Sequence, residues 1–166
     1  MNRGPASLRS AAPVFTMKST ALRLLAFAAL AVLGAASAAA HGSKQKVAGP
    51  NGGRILAAFE PRAEFFVTPE RKVKITFLDG KNHPVSPADQ VVVVTSGDRA
   101  APVRLTFTRV GDALVSSAAL PAGKDLPTVV QIKASPSAKL VTEKFNVDLA
   151  KCPECKLGEY ACICAH

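Results

Sequence analysis

The sequence predicts an all-β protein: a small antiparallel β-sandwich of the immunoglobulin-like type with an irregular, cysteine-rich C-terminal tail, preceded by a signal-peptide helix. Short segments alternate polar and apolar residues, turn signals separate them, and no helical period continues beyond the leader. A small barrel is the alternative arrangement. The predicted strands are residues 53–59, 64–67, 72–77, 91–94, 103–108, 113–119, 129–134 and 140–149.

The individual strands follow from local patterns. Residues 72–77 and 103–108 alternate polar and apolar side chains, as half-buried strands do. Residues 91–94 are a continuous run of valine, which predicts a strand buried on both faces. Turns are predicted at residues 79–82 and at the reversal that begins with Gly111.

The N-terminus is typical of a secretory signal peptide. Lys18 and Arg23 supply positive charge, and residues 24–33 form an apolar run. This run is too short to cross a bilayer, which needs roughly 20 residues. Small residues at 36–40 fit a cleavage site. We therefore expect residues 1–40 to be a signal peptide with an N-terminal extension, and the product to be periplasmic or secreted without stable membrane insertion after cleavage.

The mature chain divides by composition into a linker at residues 41–52, the sandwich at residues 53–149 and the tail at residues 150–166. A domain of this size buries roughly two-thirds of its unfolded surface, so its core needs no disulfide staples. We therefore expect the sandwich to fold without the tail.

Charge and side-chain chemistry argue against two classes of function. The formal net charge of +9 falls to +5 once the leader is removed, and the basic residues are spread singly along the chain, which disfavours nucleic-acid binding. His83, in a turn, is the only histidine inside the domain, and no serine lies in a nucleophile-elbow pattern. The Gly-Pro-Asn-Gly-Gly stretch at residues 49–53 is a turn signal with no helix after it. The segment at residues 60–64 could bring the carboxylates of Glu60 and Glu64 together, but its charges, Glu64 included, are interpreted as lying at a sheet edge or corner. We therefore expect no enzymatic activity.

The tail carries most of the reactive side chains. Cys152 and Cys155 have the spacing of a metal knuckle, in which two thiolates point at one ion. If their segment is extended, Cys162, Cys164 and His166 project to one side. Sulfur and imidazole donors in this number suit tetrahedral Zn(II), and thiolates also suit Cu(I).

The same cysteines also fit a disulfide interpretation. Export favours oxidation, and an even cysteine count allows two bridges. A bridge between Cys162 and Cys164 would close a very short loop, so pairing between the two halves of the tail is favoured over it.

Both ends of the mature chain resemble known groups of exported bacterial proteins. His41 and Gly42 are followed by Gly-Pro-Asn-Gly-Gly-Arg at residues 49–54, and the tail has the pattern CPEC…EYACxCxH over residues 152–166. The combination resembles a group of small uncharacterised exported bacterial proteins. The opening is similar to periplasmic segments linked to heavy-metal efflux, and the body is loosely similar to copper-resistance β-sandwich proteins. The latter two resemblances imply a metal-related role.

We therefore expect an exported protein that binds a transition metal, zinc or Cu(I), for sequestration, delivery or tail structure. The expected ligands are Cys152, Cys155, Cys162 and Cys164, with His166 replacing one of them or lying behind them. The alternative is a structural or partner-binding module that binds no metal, has a disulfide-locked tail and docks on an envelope complex.

Overall fold

A computed structural model describes residues 46–165 of the chain. The predicted signal peptide, the first part of the linker and His166 lie outside these residues. The described chain is all β, as expected, and its only helical element is a 3-10 turn at Glu159–Ala161. No helix among the described residues is long and apolar enough to cross a membrane. The strands are β1 (Arg54–Leu56), β2 (Arg62–Val67), β3 (Lys72–Leu78), β4 (Pro84–Val85), β5 (Val91–Ser96), β6 (Val103–Leu105), β7 (Phe107–Val110), β8 (Ala113–Ala119), β9 (Asp125–Lys133) and β10 (Val141–Asp148).

The strands form two antiparallel sheets. The six-stranded sheet has the order β1-β2-β3-β8-β7, with β4 also paired to β3, and the four-stranded sheet has the order β10-β9-β5-β6. Strand β2 lies between β1 and β3, so that Phe65 is opposite Arg54 on one side and Ile75 on the other. Strand β2 positions the tail described below.

One cluster of buried side chains takes members from both sheets. Phe65, Ile75 and Phe77 come from the six-stranded sheet, and Val94 and Val130 from the four-stranded sheet. All five are fully buried. The alternation that predicted the strands therefore points the apolar positions of both sheets into one shared core.

The run of valines at residues 91–94 is buried on one face only. Val92 and Val94 are buried, whereas Val91 is 41% exposed. The expectation of a strand buried on both faces was therefore wrong. Strand β5 is central in its sheet, between β9 and β6, but only one face of that sheet meets the core.

Residues 103–108 form two strands in different sheets rather than one strand. Strand β6 pairs with β5, and β7 pairs with β8 in the other sheet. The break is at Thr106, whose carbonyl oxygen accepts a hydrogen bond from the Ser117 N–H at 2.9 Å. Strands of sandwich folds can change sheets through such bends. The alternation continues across the break, and therefore the sequence pattern does not reveal the change of partner.

The Gly-rich loop at residues 49–53 encloses a buried carboxylate. The N–H groups of Asn51 and Gly53 donate to Glu64 Oε1, each at 2.8 Å, and Asn51 Nδ2 donates to Oε2 at 2.6 Å. A Cβ atom at Gly49 would collide with the same carboxyl group, which explains the glycine there. Glu64 is fully buried, so its interpretation as a charge at a sheet edge or corner was wrong. The loop supplies the donors that make this burial tolerable.

Candidate metal centre

The first half of the tail is a tight hairpin. Lys151 and Gly158 form an antiparallel bridge, and the Cys152 N–H donates to the Leu157 carbonyl at 2.8 Å. The turn closes through the Lys156 N–H, which donates to the Cys152 carbonyl at 3.0 Å, and Lys156 itself has a φ of 63°. This compact turn holds Cys152 and Cys155 close together, as the knuckle spacing predicted.

The second half of the tail is fixed by Tyr160. Its hydroxyl oxygen accepts a hydrogen bond from the Val67 N–H at 3.0 Å, and its ring meets that of Phe65 edge to face, with centroids 6.0 Å apart. Tyr160 and Ala161 belong to the shared core. A Cβ atom at Gly158 would lie 2.6 Å from the Tyr160 ring, so glycine allows the ring to pack there. Tyr160 therefore anchors the segment that carries the last two cysteines.

These two halves bring four sulfur atoms together. The Sγ atoms of Cys152, Cys155, Cys162 and Cys164 all lie within 4.8 Å of one another. Cys152 Sγ is 3.4 Å from Cys162 Sγ and 3.9 Å from Cys164 Sγ, and Cys155 Sγ is 3.8 Å from Cys162 Sγ. In a tetrahedral site with metal–sulfur distances of about 2.3 Å, neighbouring sulfurs are about 3.8 Å apart. The observed spacing matches this geometry.

The spacing does not match disulfide bonds. A disulfide joins its sulfurs at about 2.05 Å. None of the four cysteines of the chain forms a disulfide in the structure. Each short sulfur–sulfur distance given above joins one half of the tail to the other, so the hairpin and the Tyr160-anchored segment contribute to a single cluster.

The environment of the cluster favours a thiolate at Cys155. Hydrogen bonds from the backbone N–H groups of Leu157 and Ile163 lower the pKa of Cys155 from 9.0 to about 6. Backbone donors stabilise an anionic sulfur in this way. The Cys164 N–H also donates to Cys162 Sγ, at 3.4 Å. Cluster geometry and backbone donors thus both suit thiolate ligands.

Two other thiols of the cluster, those of Cys162 and Cys164, have raised pKa values. The Glu154 side chain beside Cys164 raises the pKa of that thiol, and burial and the neighbouring thiols act in the same direction. At Cys162, the backbone N–H of Cys164 favours the thiolate, but burial together with the Cys152 and Cys155 thiols outweighs it, so the pKa of Cys162 is raised. Several thiols crowded together resist losing all their protons, unless a cation balances the charge.

Burial differs among the four cysteines. Cys152 is fully buried beneath the cluster, whereas Cys155, Cys162 and Cys164 are half-buried. The cluster therefore has one side against the protein and one side accessible from solvent.

The structure brings together four of the predicted site residues, Cys152, Cys155, Cys162 and Cys164. His166, the fifth, lies outside the described residues. Sequence reasoning missed the anchoring role of Tyr160 and the proximity of Glu154 to Cys164. One signal for the anchor was available: Tyr160 is the only tyrosine of the chain and lies between the two cysteine pairs.

No family model, no curated protein and no solved structure matches this chain.

Proposed function

We propose that this protein is an exported, transition-metal-binding protein whose tail cysteines bind one zinc ion. The observation that carries the proposal is the sulfur spacing of 3.4–3.9 Å across the two halves of the tail. Four thiolates in a tetrahedral arrangement are typical ligands of zinc. Cu(I) shares the preference for thiolates and is the second candidate metal, because no donor other than sulfur belongs to the described cluster.

The role that fits this ligand set is binding rather than catalysis. Four protein ligands fill a tetrahedral shell, whereas catalytic zinc sites keep one position for water or substrate. An ion held by both halves of the tail would fasten the hairpin to the segment anchored by Tyr160. Because Cys155, Cys162 and Cys164 are only half-buried, an ion bound there would also be accessible for sequestration or delivery.

The surrounding architecture and location are part of the same proposal. We propose that the two sheets form an immunoglobulin-like β-sandwich, since they share one core. The signal-like N-terminus supports periplasmic or secreted localisation. A docking partner in the cell envelope fits such a location.

The metal content of protein purified from the exported fraction tests the proposal. We expect about one zinc per chain by elemental analysis, and a thiolate-to-Co(II) charge-transfer band when the reduced apoprotein is titrated with Co(II). Cys155→Ser should weaken metal binding roughly 100-fold or more, because it removes one of four ligands. Lys151→Ser is the matched control, since Lys151 lies exposed in the same hairpin.

A different result would favour the disulfide-locked module. That module predicts an intact mass lowered by the hydrogens lost in two disulfides, no bound metal, and no charge-transfer band after reduction. If elemental analysis finds copper in place of zinc, the proposed metal site stands and only the identity of its ion changes.

A further inference from the structure

A cleft opens beside the metal centre, between the tail and the start of the six-stranded sheet. Its volume is about 310 Å³. Small-ligand pockets begin at about 300 Å³. Its lining includes three basic residues, a polar acceptor and the edge of the cysteine cluster: Lys46, Arg54, Arg62, Asn82, Cys162 and Ile163.

The basic residues give the cleft a net positive charge. Among residues 46–165, no aspartate or glutamate lines it. The Arg54 guanidinium is paired with Glu143 at 3.1 Å, and Arg62 uses Nη2 to donate to the Gly80 carbonyl at 2.9 Å. An arginine side chain carries five N–H donors, so Arg62 keeps further donors for a carboxylate, and Lys46 adds a second cation.

Asn82 offers an acceptor that the protein does not use. Its side-chain oxygen Oδ1 is buried and has no hydrogen-bond partner within the described part of the chain. A buried acceptor without a donor destabilises the protein, because it has lost its hydrogen bonds to water. An N–H group of a ligand bound in the cleft would satisfy it.

The third chemical feature is the metal centre itself. Cys162 and Ile163 form part of the wall, and Ile163 is 38% exposed. A molecule seated in the cleft therefore lies beside Cys162, one of the four cysteines of the cluster. A thiol on that molecule would be placed to compete with Cys162 for the ion.

From these features we propose that the cleft binds a small cysteine-containing peptide and presents its thiol to the metal. The peptide's carboxylates would lie against Lys46 and Arg62, and one of its N–H groups would donate to Asn82 Oδ1. The exchange step is a ligand substitution: the incoming sulfur bonds to zinc, the zinc–Cys162 bond breaks, and the proton of the incoming thiol passes to Cys162. No electrons are transferred. The inference rests on the proposed metal-binding function and names the partner that would exchange the ion.

Glutathione and its diethyl ester provide the test, because they share the thiol and the N–H groups but differ in the carboxylates. Protein carrying a measured one equivalent of zinc is mixed with each, and the second-order rate of zinc release is followed with a chromophoric chelator. At low ionic strength, we expect release by glutathione to be about tenfold faster than release by the ester, since a cationic cleft concentrates anions.

Three variants test whether the preference for glutathione over its ester depends on residues of the cleft. Arg62→Gln should reduce the tenfold preference to about threefold or less. Asn82→Gly should slow zinc release by both reagents. The backbone of Asn82 has a positive φ of 64°, which glycine adopts readily. Arg104→Gln removes an exposed cation outside the cleft and should change neither rate.

Equal rates for glutathione and its ester, or an equal loss of preference in Arg104→Gln, would overturn the proposal. A failure of metal binding is recognised separately, because the zinc content is measured before mixing. If the protein does not bind metal, S-methylglutathione, which carries no free thiol, is titrated against the reduced protein. A selective shift of the Asn82 side-chain amide resonances would support the cleft, and no shift would refute it.

Discussion

The Gly-rich loop and the C-terminal tail both contact strand β2, the tail through Tyr160, but they differ in where their polar groups find partners. The loop at residues 49–53 covers Glu64, and Asn51 and Gly53 satisfy that carboxylate within the protein. The hairpin and the Tyr160 segment instead gather four thiols, two of which have raised pKa values because of their surroundings.

This difference separates a structural motif from a binding motif. A buried charge that is fully hydrogen-bonded by its own chain stabilises one conformation. A group of like side chains that resist joint ionisation favours a cation that would relieve the repulsion. Both motifs are rich in turn residues and equally conspicuous in the sequence. Only the arrangement of donors around Glu64 and around the sulfurs tells the two apart.

Replacing Glu64 should produce the largest effect and leave the metal centre intact. In Glu64→Gln, the new amide group would face the Asn51 and Gly53 donors, and we expect the free energy of unfolding to fall by about 3 kcal/mol. Chemical denaturation measures the change. Glu60→Gln, at an exposed position just before β2, should change stability by less than about 0.5 kcal/mol.

The same variant should still bind its full complement of Co(II) while folded. A loss of Co(II) binding in folded Glu64→Gln would show that the loop and the cysteine cluster act as one unit, against the distinction drawn above.

Tyr160 should couple the tail to the core with a smaller effect. Tyr160→Phe keeps the ring against Phe65 but removes the acceptor for the Val67 N–H, and we expect a loss of about 1 kcal/mol in unfolding free energy. Thermal unfolding of the metal-free protein measures it. An unchanged stability would mean that the tail leaves β2 in the absence of metal, a result compatible with the sequence-based expectation that the sandwich folds without the tail.

Thiol reactivity should show the smallest and most local effect. In reduced, metal-free protein, Cys155 should be alkylated first by iodoacetamide, because its pKa of about 6 makes it mostly thiolate at neutral pH. Its rate should rise as the pH rises through about 6 and then level off. The rate at Cys164, whose pKa is raised, should still be rising in alkaline solution. Peptide mass spectrometry after timed quenching measures both rates.

Four cysteines with one common rate and the pH profile of an ordinary thiol would contradict the assigned hydrogen bonds from Leu157 and Ile163. Protection of all four after zinc loading would place the ion on the cluster.

Local pattern was enough to predict much of the fold. The alternation at residues 72–77 corresponds to β3, and the run at residues 113–119 to β8, with their bounds nearly as expected. The all-β class and the antiparallel pairing are confirmed. Burial was harder to predict, because it depends on what covers a residue: Glu64 was expected to be exposed and is enclosed by a loop more than ten residues earlier.

The candidate site was predictable for the same local reason. Cys152 and Cys155 share one hairpin turn, so their spacing alone indicates a knuckle. The joining of this pair to Cys162 and Cys164 depends on Tyr160, which docks on residues more than ninety positions away.

The sequence by itself determined most of the strand segments, where most turns lie, and which four side chains could gather around an ion, since these properties depend on neighbours within a few residues. The tertiary structure decided the change of sheet at Thr106, the burial of Glu64 and the docking of Tyr160 on β2. Each of these needs hydrogen-bond partners or covering atoms from distant segments. A periodic pattern records which face of a strand is apolar, but it does not record which distant group will meet that face.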